Sequence, residues 1–173
     1  MCAECLDQRP FYDQLFYYGL FDGVLKEALH CLKYRPLRRL AKPLARLMDS
    51  LLLPDGIDMV VAVPLHKKRL IERGFNQSAL LARLFANHRG LPFDPFVIKR
   101  NVHNPPQSQL KKTERLKNVH NIFEVADCVE GKAIIIFDDV ITTGATINEC
   151  ARALRSRGAA QVYAVAVARA YLV

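Results

Sequence analysis

Short apolar runs and amphipathic segments alternate along this chain of 173 residues. Residues 21–34 and 36–48 carry apolar side chains at helical spacing, which predicts two amphipathic helices near the N-terminus. Residues 59–63 form a continuous apolar run, as expected for a parallel strand covered on both faces. A third amphipathic helix is predicted at 75–88, followed by a short strand near 96–99.

The second half of the chain repeats this alternation more clearly. Residues 132–137 are predicted to form a buried strand, and a threonine- and glycine-containing turn leads from it into a helix at 145–157. Gly158 suits the end of that helix, and 161–168 is the last predicted strand. Alternating strands and helices indicate an α/β domain with a parallel sheet, whose ligands bind at the carboxyl ends of the strands.

Composition narrows the class of protein. The apolar residues fall in short runs, without the span of about 20 that a transmembrane helix needs. The N-terminus lacks the basic and apolar regions of a secretion signal. Five cysteines without regular spacing indicate a reducing compartment and, apart from the Cys2–Cys5 pair, free thiols. We take Cys128 and Cys150 to be buried apolar side chains. We therefore expect a cytoplasmic protein that does not enter a membrane.

Positive charge is concentrated in the middle of the chain. Residues 64–120 contain twelve Lys or Arg against three Asp or Glu, whereas the rest of the chain has thirteen basic and fourteen acidic residues. A field of one sign in this segment would attract a polyanion, either a phosphorylated small molecule or a nucleic acid strand. The alternative is a solvated basic face that serves solubility.

The segment 134–146 is the strongest functional signal. Four apolar residues are followed by two adjacent carboxylates, Asp138 and Asp139, and then by small and hydroxyl residues at the start of a helix. Backbone N–H groups, the helix N-terminus and threonine hydroxyls are donors for phosphate, whereas carboxylates suit sugar hydroxyls or a metal ion that accompanies pyrophosphate. The alternative is an ordinary strand–turn–helix with an acidic N-cap. The predicted phosphate donors are Thr142, Thr143, Gly144, Ala145 and Thr146.

This pattern resembles the binding loop for phosphoribosyl pyrophosphate (PRPP) of type I phosphoribosyltransferases. The resemblance implies that Asp138 and Asp139 contact the ribose hydroxyls and, through PRPP, a Mg²⁺ ion. It also implies that residues 142–146 hold the 5-phosphate. The expected fold is the type I phosphoribosyltransferase fold, a parallel sheet flanked by helices with a small N-terminal helical hood.

Two further segments resemble the ComF family of competence-associated, phosphoribosyltransferase-like proteins. One reads Val-Pro-Leu-His-Lys-Lys-Arg at 63–69 and continues as Arg-Gly-Phe-Asn-Gln at 73–77. The other is the polar, basic segment 100–118, with Leu-Lys-Tyr at 32–34 as an additional match. When these segments occur in this order along the chain together with the PRPP loop, they indicate the ComF family more specifically than any one of them does alone. The resemblance extends from about residue 20 to residue 169.

The resemblance leaves two functional hypotheses open. In the first, the protein is a glycosyltransferase that moves phosphoribosyl from PRPP, with Mg²⁺, to an unidentified nitrogen nucleophile. In the second, it is a non-catalytic module that senses PRPP and holds single-stranded DNA or a helicase-like partner during DNA uptake. A homodimer is compatible with either hypothesis. Between residues 64 and 120 few aromatic residues accompany the basic ones, so stacking platforms for a single strand are poorly supported there.

Basic residues after the second strand are candidates for binding the pyrophosphate. They are His66, Lys67, Lys68 and Arg69, and the long basic segment contributes Arg115. We predict that residues 100–118 close over PRPP, and that positioned cations stabilise the departing charge. Asp138, Asp139, Arg69 and Arg115 are therefore the predicted catalytic residues.

The N-terminus departs from the family pattern. ComF-like proteins often begin with a zinc ribbon of four cysteines, but here Cys2 and Cys5 supply only two of the four ligands that a structural zinc site needs. Either the natural chain begins further upstream or the zinc site has been lost, and zinc binding is the less favoured interpretation. We predict that residues 1–19 are a partial zinc-ribbon-like segment and that 20–173 form the phosphoribosyltransferase-like domain.

Overall fold

A computed structural model describes residues 9–35, 37–100 and 122–171. The strands are β1 (Gln14–Leu20), β2 (Met59–Ala62), β3 (Ile98–Arg100), β4 (Phe123–Val125), β5 (Ala133–Ile141) and β6 (Gln161–Arg169). The helices are α1 (Gly23–Tyr34), α2 (Ala41–Leu47), α3 (Lys67–Arg73), α4 (Gln77–His88) and α5 (Ala145–Ser156). No helix within the described residues is long and apolar enough to cross a bilayer.

A four-stranded parallel sheet forms the centre of the fold, in the order β1-β6-β5-β2. β3 and β4 pair separately as a short antiparallel ribbon. The parallel sheet carries helices on both faces. The sequence predicts this arrangement, because a parallel strand buried on both sides must be apolar throughout. β2 is buried at all four positions, and β6 at seven of nine.

The two faces of the sheet form two separate cores. One face contacts α5 and the β3–β4 ribbon through alternate side chains such as Ile134 and Ile136. The other face contacts α1, α2 and α4 through the intervening side chains, such as Ile135 and Phe137. This alternation follows from the two-residue period of a strand. It also fixes which helices each residue of β5 can reach.

The first strand differs from the sequence prediction. β1 pairs in parallel with β6 along the sheet edge, from Gln14 opposite Tyr163 to Leu20 opposite Arg169. The domain therefore begins before the predicted boundary at residue 20. Residues 14–19, which the sequence analysis places in the N-terminal segment, are mostly half-buried at the sheet edge. Cys2 and Cys5 lie outside the described residues, so the zinc prediction is not tested.

Most predicted helices and strands are present, with shifted ends. α1 begins after Asp22, whose side chain accepts a hydrogen bond from the Gly23 amide at 2.7 Å. β5 extends four residues past its predicted end and contains both carboxylates. Cys150 is buried as predicted, but the prediction for Cys128 is wrong. Cys128 is exposed because Val129, its neighbour in the same 3₁₀ turn, occupies the core position.

Candidate PRPP site

A cavity of about 580 Å³ opens where the carboxyl ends of β2 and β5 meet the N-terminus of α4. Its charged lining comprises four basic residues, two carboxylates and one histidine. Those residues are Lys33, Arg69, Arg73, Arg100, Asp138, Asp139 and His66. The surplus of cations favours a ligand that carries several negative charges together with polar, uncharged groups.

Both carboxylates lie near the carboxyl end of β5. The Ser78 hydroxyl, at the start of α4, donates hydrogen bonds to both of them. Both side chains line the same cavity. The adjacent acids of the sequence motif thus form one site.

Asp139 is almost fully buried, with 4% of its surface exposed. Its Oδ2 atom forms an ion pair with the Lys33 ammonium from the last turn of α1. Its Oδ1 atom accepts weaker hydrogen bonds from the Ser78 hydroxyl at 3.3 Å and the Gln77 amide at 3.4 Å. The Oε1 atom of Gln77 is buried and has no hydrogen-bond partner among the described residues. It is therefore available to accept a hydrogen bond from a ligand hydroxyl.

Asp138 is half-buried and accepts a hydrogen bond from the Ser78 hydroxyl at 2.8 Å. Burial of the carboxyl, and then the adjacent negative charge of Asp139, raise the pKa of Asp138 from 3.8 to about 7. Near neutral pH, Asp138 is thus divided between its protonated and ionised forms. A carboxyl group in this state can both donate a hydrogen bond to a hydroxyl and accept one from it.

A small cradle adjoins the cavity and is lined by Asp138 and residues 140–147. Gly144 adopts a left-handed conformation with φ of 77°, which turns the chain from β5 into α5. A Cβ atom at this position would lie 3.7 Å from the Tyr12 hydroxyl and 3.9 Å from Ile141, so the backbone conformation, rather than space, demands glycine. The exposed threonines at 142, 143 and 146 surround this turn. Backbone amides at the start of α5 add donors for an anion.

The candidate pyrophosphate residues divide between the cavity and the surface. His66 and Arg69 line the cavity, whereas Lys67 and Lys68 are exposed and not part of its lining. Helix formation separates them, because Lys67–Arg73 form α3, which turns some of these side chains away from the cavity. Arg115 and nearly all of the predicted lid, 101–118, lie outside the described residues.

The Arg-Gly-Phe-Asn-Gln segment shapes the turn that delivers Gln77. Gly74 ends α3 in a left-handed conformation with φ of 71°. Asn76 then caps α4, accepting hydrogen bonds from the Ser78 and Ala79 amides, while its own amide donates to the Val63 carbonyl at 3.0 Å. This arrangement ties the end of β2 to the start of α4 and holds Gln77 and Ser78 beside the carboxylates.

Six polar cavity residues were not assigned to the site from sequence: Lys33, Tyr34, Arg73, Gln77, Ser78 and Arg100. Ser78 directly follows the recognised Gln77, which was the available signal. Lys33 and Arg100 were noted only as parts of the family resemblance, because helical spacing does not show that Lys33 reaches β5. Cys150 is not a nucleophile, since burial above all raises the pKa of its thiol well above the ordinary value.

Comparison with known protein families agrees with this fold. The model of the phosphoribosyl transferase domain matches residues 72–170, more than half of the chain. Among solved structures, the glutamine PRPP amidotransferase from B. subtilis superposes with a TM-score of 0.50 at 20% identity, covering 74% of this chain and 25% of that one. The chain thus spans about a quarter of that structure, and the likeness concerns the fold. The fold and site define a protein of the type I phosphoribosyltransferase class.

Closer relatives narrow that class. The DNA utilization protein YhgH of Salmonella typhimurium is 35% identical over 93% of this chain and 74% of its own length. Competence protein F of Haemophilus influenzae is 30% identical over 98% of this chain and 78% of its own length. Competence protein ComFC of Bacillus subtilis is 43% identical over 62% of this chain and 42% of its own length. The chain belongs to the ComF family of phosphoribosyltransferase-like proteins.

Proposed function

We propose that this protein binds PRPP with Mg²⁺ and transfers its phosphoribosyl group to a nitrogen nucleophile. The observation that carries the proposal is that Asp138 and Asp139 line a basic cavity, and that this cavity adjoins the small cradle at the start of α5. In this assignment the 5-phosphate occupies the cradle, the ribose hydroxyls contact the carboxylates, and the pyrophosphate faces the cationic side. PRPP has these three kinds of group in this order.

The proposed catalysis is electrostatic. Departure of pyrophosphate leaves positive charge on the ribose and places negative charge on the leaving group. Arg69 and His66 are positioned to stabilise the leaving group, and the nearby carboxylates favour a cationic ribose. The predicted contribution of Arg115 remains part of this proposal. No covalent intermediate with the protein is required.

The carboxylate pair fits a Mg²⁺ ion that is held mainly by the substrate. No group of three or more metal-ligating side chains occurs among the residues the structure describes. Mg²⁺ commonly binds one or two carboxylates together with substrate phosphates and water, so two carboxylates beside a phosphate site suffice. When bound, the ion would neutralise charge on the pyrophosphate. Asp138 and Asp139 would hold it through PRPP.

Calorimetric titration tests the binding step. PRPP with Mg²⁺ is titrated into the protein, and Asp138→Ala and Asp139→Asn are expected to weaken binding at least tenfold. Asp49→Ala, which changes a partly exposed carboxylate away from the cavity, serves as the control. Separate titrations with ribose 5-phosphate and with inorganic pyrophosphate assign the two ends of the site. Binding that is unaffected by both substitutions contradicts the proposed site.

Pyrophosphate release tests the transfer step. The protein is incubated with PRPP, Mg²⁺ and a panel of nucleobases, and pyrophosphate is measured with a coupled assay. Release that requires both a base and Asp138 supports the enzyme. Measurable PRPP binding without release for any base would instead favour the non-catalytic alternative.

The names of the relatives favour a second candidate function, a PRPP-responsive module in the use or uptake of DNA. The excess of positive charge between residues 64 and 120 suits a single DNA strand as well as PRPP. Fluorescence anisotropy with a labelled oligonucleotide at several salt concentrations tests this role. Phosphate contacts predict affinity that falls steeply with salt, and absent or salt-independent binding counts against it.

A further inference from the structure

Two carboxylates and a buried amide lie together in the wall of the main cavity. Asp139 and Gln77 each expose 4% of their surface, and Asp138 is half-buried. The Ser78 hydroxyl donates hydrogen bonds to both carboxylates, and the Gln77 amide donates a weaker one to Asp139. These contacts bring several side-chain oxygens to one part of the cavity wall. Hard divalent cations take oxygen ligands of these two kinds.

The Lys33 ammonium lies against this group of oxygens. It reaches them from the last turn of α1 and forms the ion pair with Asp139 Oδ2. Only 15% of the Lys33 side chain is exposed, so solvent and salt screen its charge weakly. An ammonium is a compact unit charge with three hydrogen-bond donors, and it compensates a buried carboxylate as a bound metal ion would. A second cation at the same place would meet electrostatic repulsion.

The Oε1 atom of Gln77 is an independent sign of a ligand at this place. It is buried and has no hydrogen-bond partner among the residues the structure describes. A buried acceptor without a partner costs free energy unless a ligand satisfies it. The other end of the same amide group contacts Asp139, so this oxygen lies within one amide group of the carboxylate. A cation bound at the carboxylates would therefore have a third side-chain oxygen beside it.

We propose that Lys33 is an internal counter-ion in a divalent cation site, which the carboxylates of Asp138 and Asp139 form beside the amide oxygen of Gln77. Its ammonium takes the place of a metal ion in the free protein and excludes Mg²⁺ from the carboxylates. A metal ion then enters only with a ligand that brings further oxygen atoms and negative charge. For PRPP this consequence rests on the proposed function, whereas the cation site itself rests on the side-chain contacts alone. Removing the charge of Lys33 should therefore create metal binding in the absence of PRPP.

A titration with Mn²⁺ tests the inference, since Mn²⁺ accepts the same oxygen ligands as Mg²⁺ and its electron paramagnetic resonance signal falls when the aqueous ion is bound. PRPP is omitted, and the titration is run at about pH 8, above the pKa of Asp138 of about 7, so that this carboxyl is mainly ionised. Lys33→Met should bind Mn²⁺ saturably and at least about tenfold more tightly than the wild type. Lys33→Arg, which keeps a cation, should stay within about threefold of the wild type.

Lys26→Met is the matched control, because Lys26 lies on the same helix and its ammonium, like that of Lys33, is 6.0 Å from the centre of the Phe21 ring. Lys26 is exposed and is not part of the cavity lining, so this variant should bind Mn²⁺ no better than the wild type. Adding Asp139→Asn to Lys33→Met should abolish the gained binding. Circular dichroism verifies folding. If Lys33→Met is partly unfolded without metal, recovery of the native signal on addition of Mn²⁺ supports the inference, and no recovery overturns it.

The outcomes distinguish this inference from the proposed function. Mn²⁺ binding that is gained in Lys33→Met and lost again with Asp139→Asn supports the internal counter-ion. Equal Mn²⁺ binding by the wild type and Lys33→Met, or a gain that survives Asp139→Asn, overturns the inference, and calorimetry with PRPP then decides the proposed function separately. A gain of metal binding in Lys33→Met, in a protein whose wild type binds no PRPP, supports the cation site and refutes the proposed function.

Discussion

The ion pair between Lys33 and Asp139 gives a quantitative prediction for stability. The two side chains are 15% and 5% exposed, so both charges are largely removed from water. Breaking a fully buried ion pair by removing one partner costs about 3–5 kcal/mol, because the remaining charge is left without compensation. Since Lys33 retains some exposure, we expect Lys33→Met to reduce the free energy of unfolding by about 2–4 kcal/mol.

The double variant isolates the cause of that loss. Lys33→Met combined with Asp139→Asn removes both charges and preserves the approximate shape of the carboxylate. We expect it to be more stable than Lys33→Met alone, by about 1–3 kcal/mol, because no uncompensated charge remains. Lys26→Met on the exposed part of the same helix controls for helix propensity and should change stability by less than about 0.5 kcal/mol.

Urea unfolding at pH 7, followed by circular dichroism, measures these differences from the transition midpoints and slopes. The reasoning would be refuted by a loss below about 0.5 kcal/mol in Lys33→Met, which is the behaviour of a solvent-exposed pair. A double variant no more stable than the single one would show instead that the loss does not come from an uncompensated charge on Asp139.

Three further predictions concern the site and the core. Asp138→Asn should gain stability relative to the wild type as pH rises from about 4 to 7, by about 1–2 kcal/mol after allowance for partial exposure. The variant gains because the raised pKa of Asp138 makes its ionisation costly in the folded wild-type protein, and asparagine does not ionise. A difference in thermal stability between variant and wild type that is the same at pH 4 and pH 7 would contradict this prediction. Gly144→Ala and Gly131→Ala, both at positive φ, should each lose about 1–2 kcal/mol, but calorimetry should show weaker ribose 5-phosphate binding only for Gly144→Ala. Phe137→Ala, fully buried against Phe85, should lose about 3–5 kcal/mol in urea unfolding, and a loss below about 1 kcal/mol would show that this core is not closely packed.

The local sequence pattern determined much of the fold of this protein. The apolar runs before Pro64 and Asp138 predict the central strands, because a strand covered on both faces must be apolar at consecutive positions. The acids at the end of β5 and the Thr-Thr-Gly-Ala-Thr run that follows predict a phosphate cradle, since their chemistry and spacing are local properties of one turn. Sequence therefore sufficed for the fold class and for the turn that carries the predicted phosphate donors.

Tertiary structure decided which distant residues complete the site. β1 was missed because an edge strand is half-buried and lacks a clear pattern, and its place beside β6 depends on long-range pairing. Lys33 contacts Asp139, and Tyr34 lines the same cavity, only because α1 packs against this part of the sheet. Likewise, formation of α3 turned Arg69 toward the cavity and left Lys67 and Lys68 exposed. Each of these contacts joins segments far apart in the chain or depends on the face a helix turns inward, which short-range periodicity does not determine.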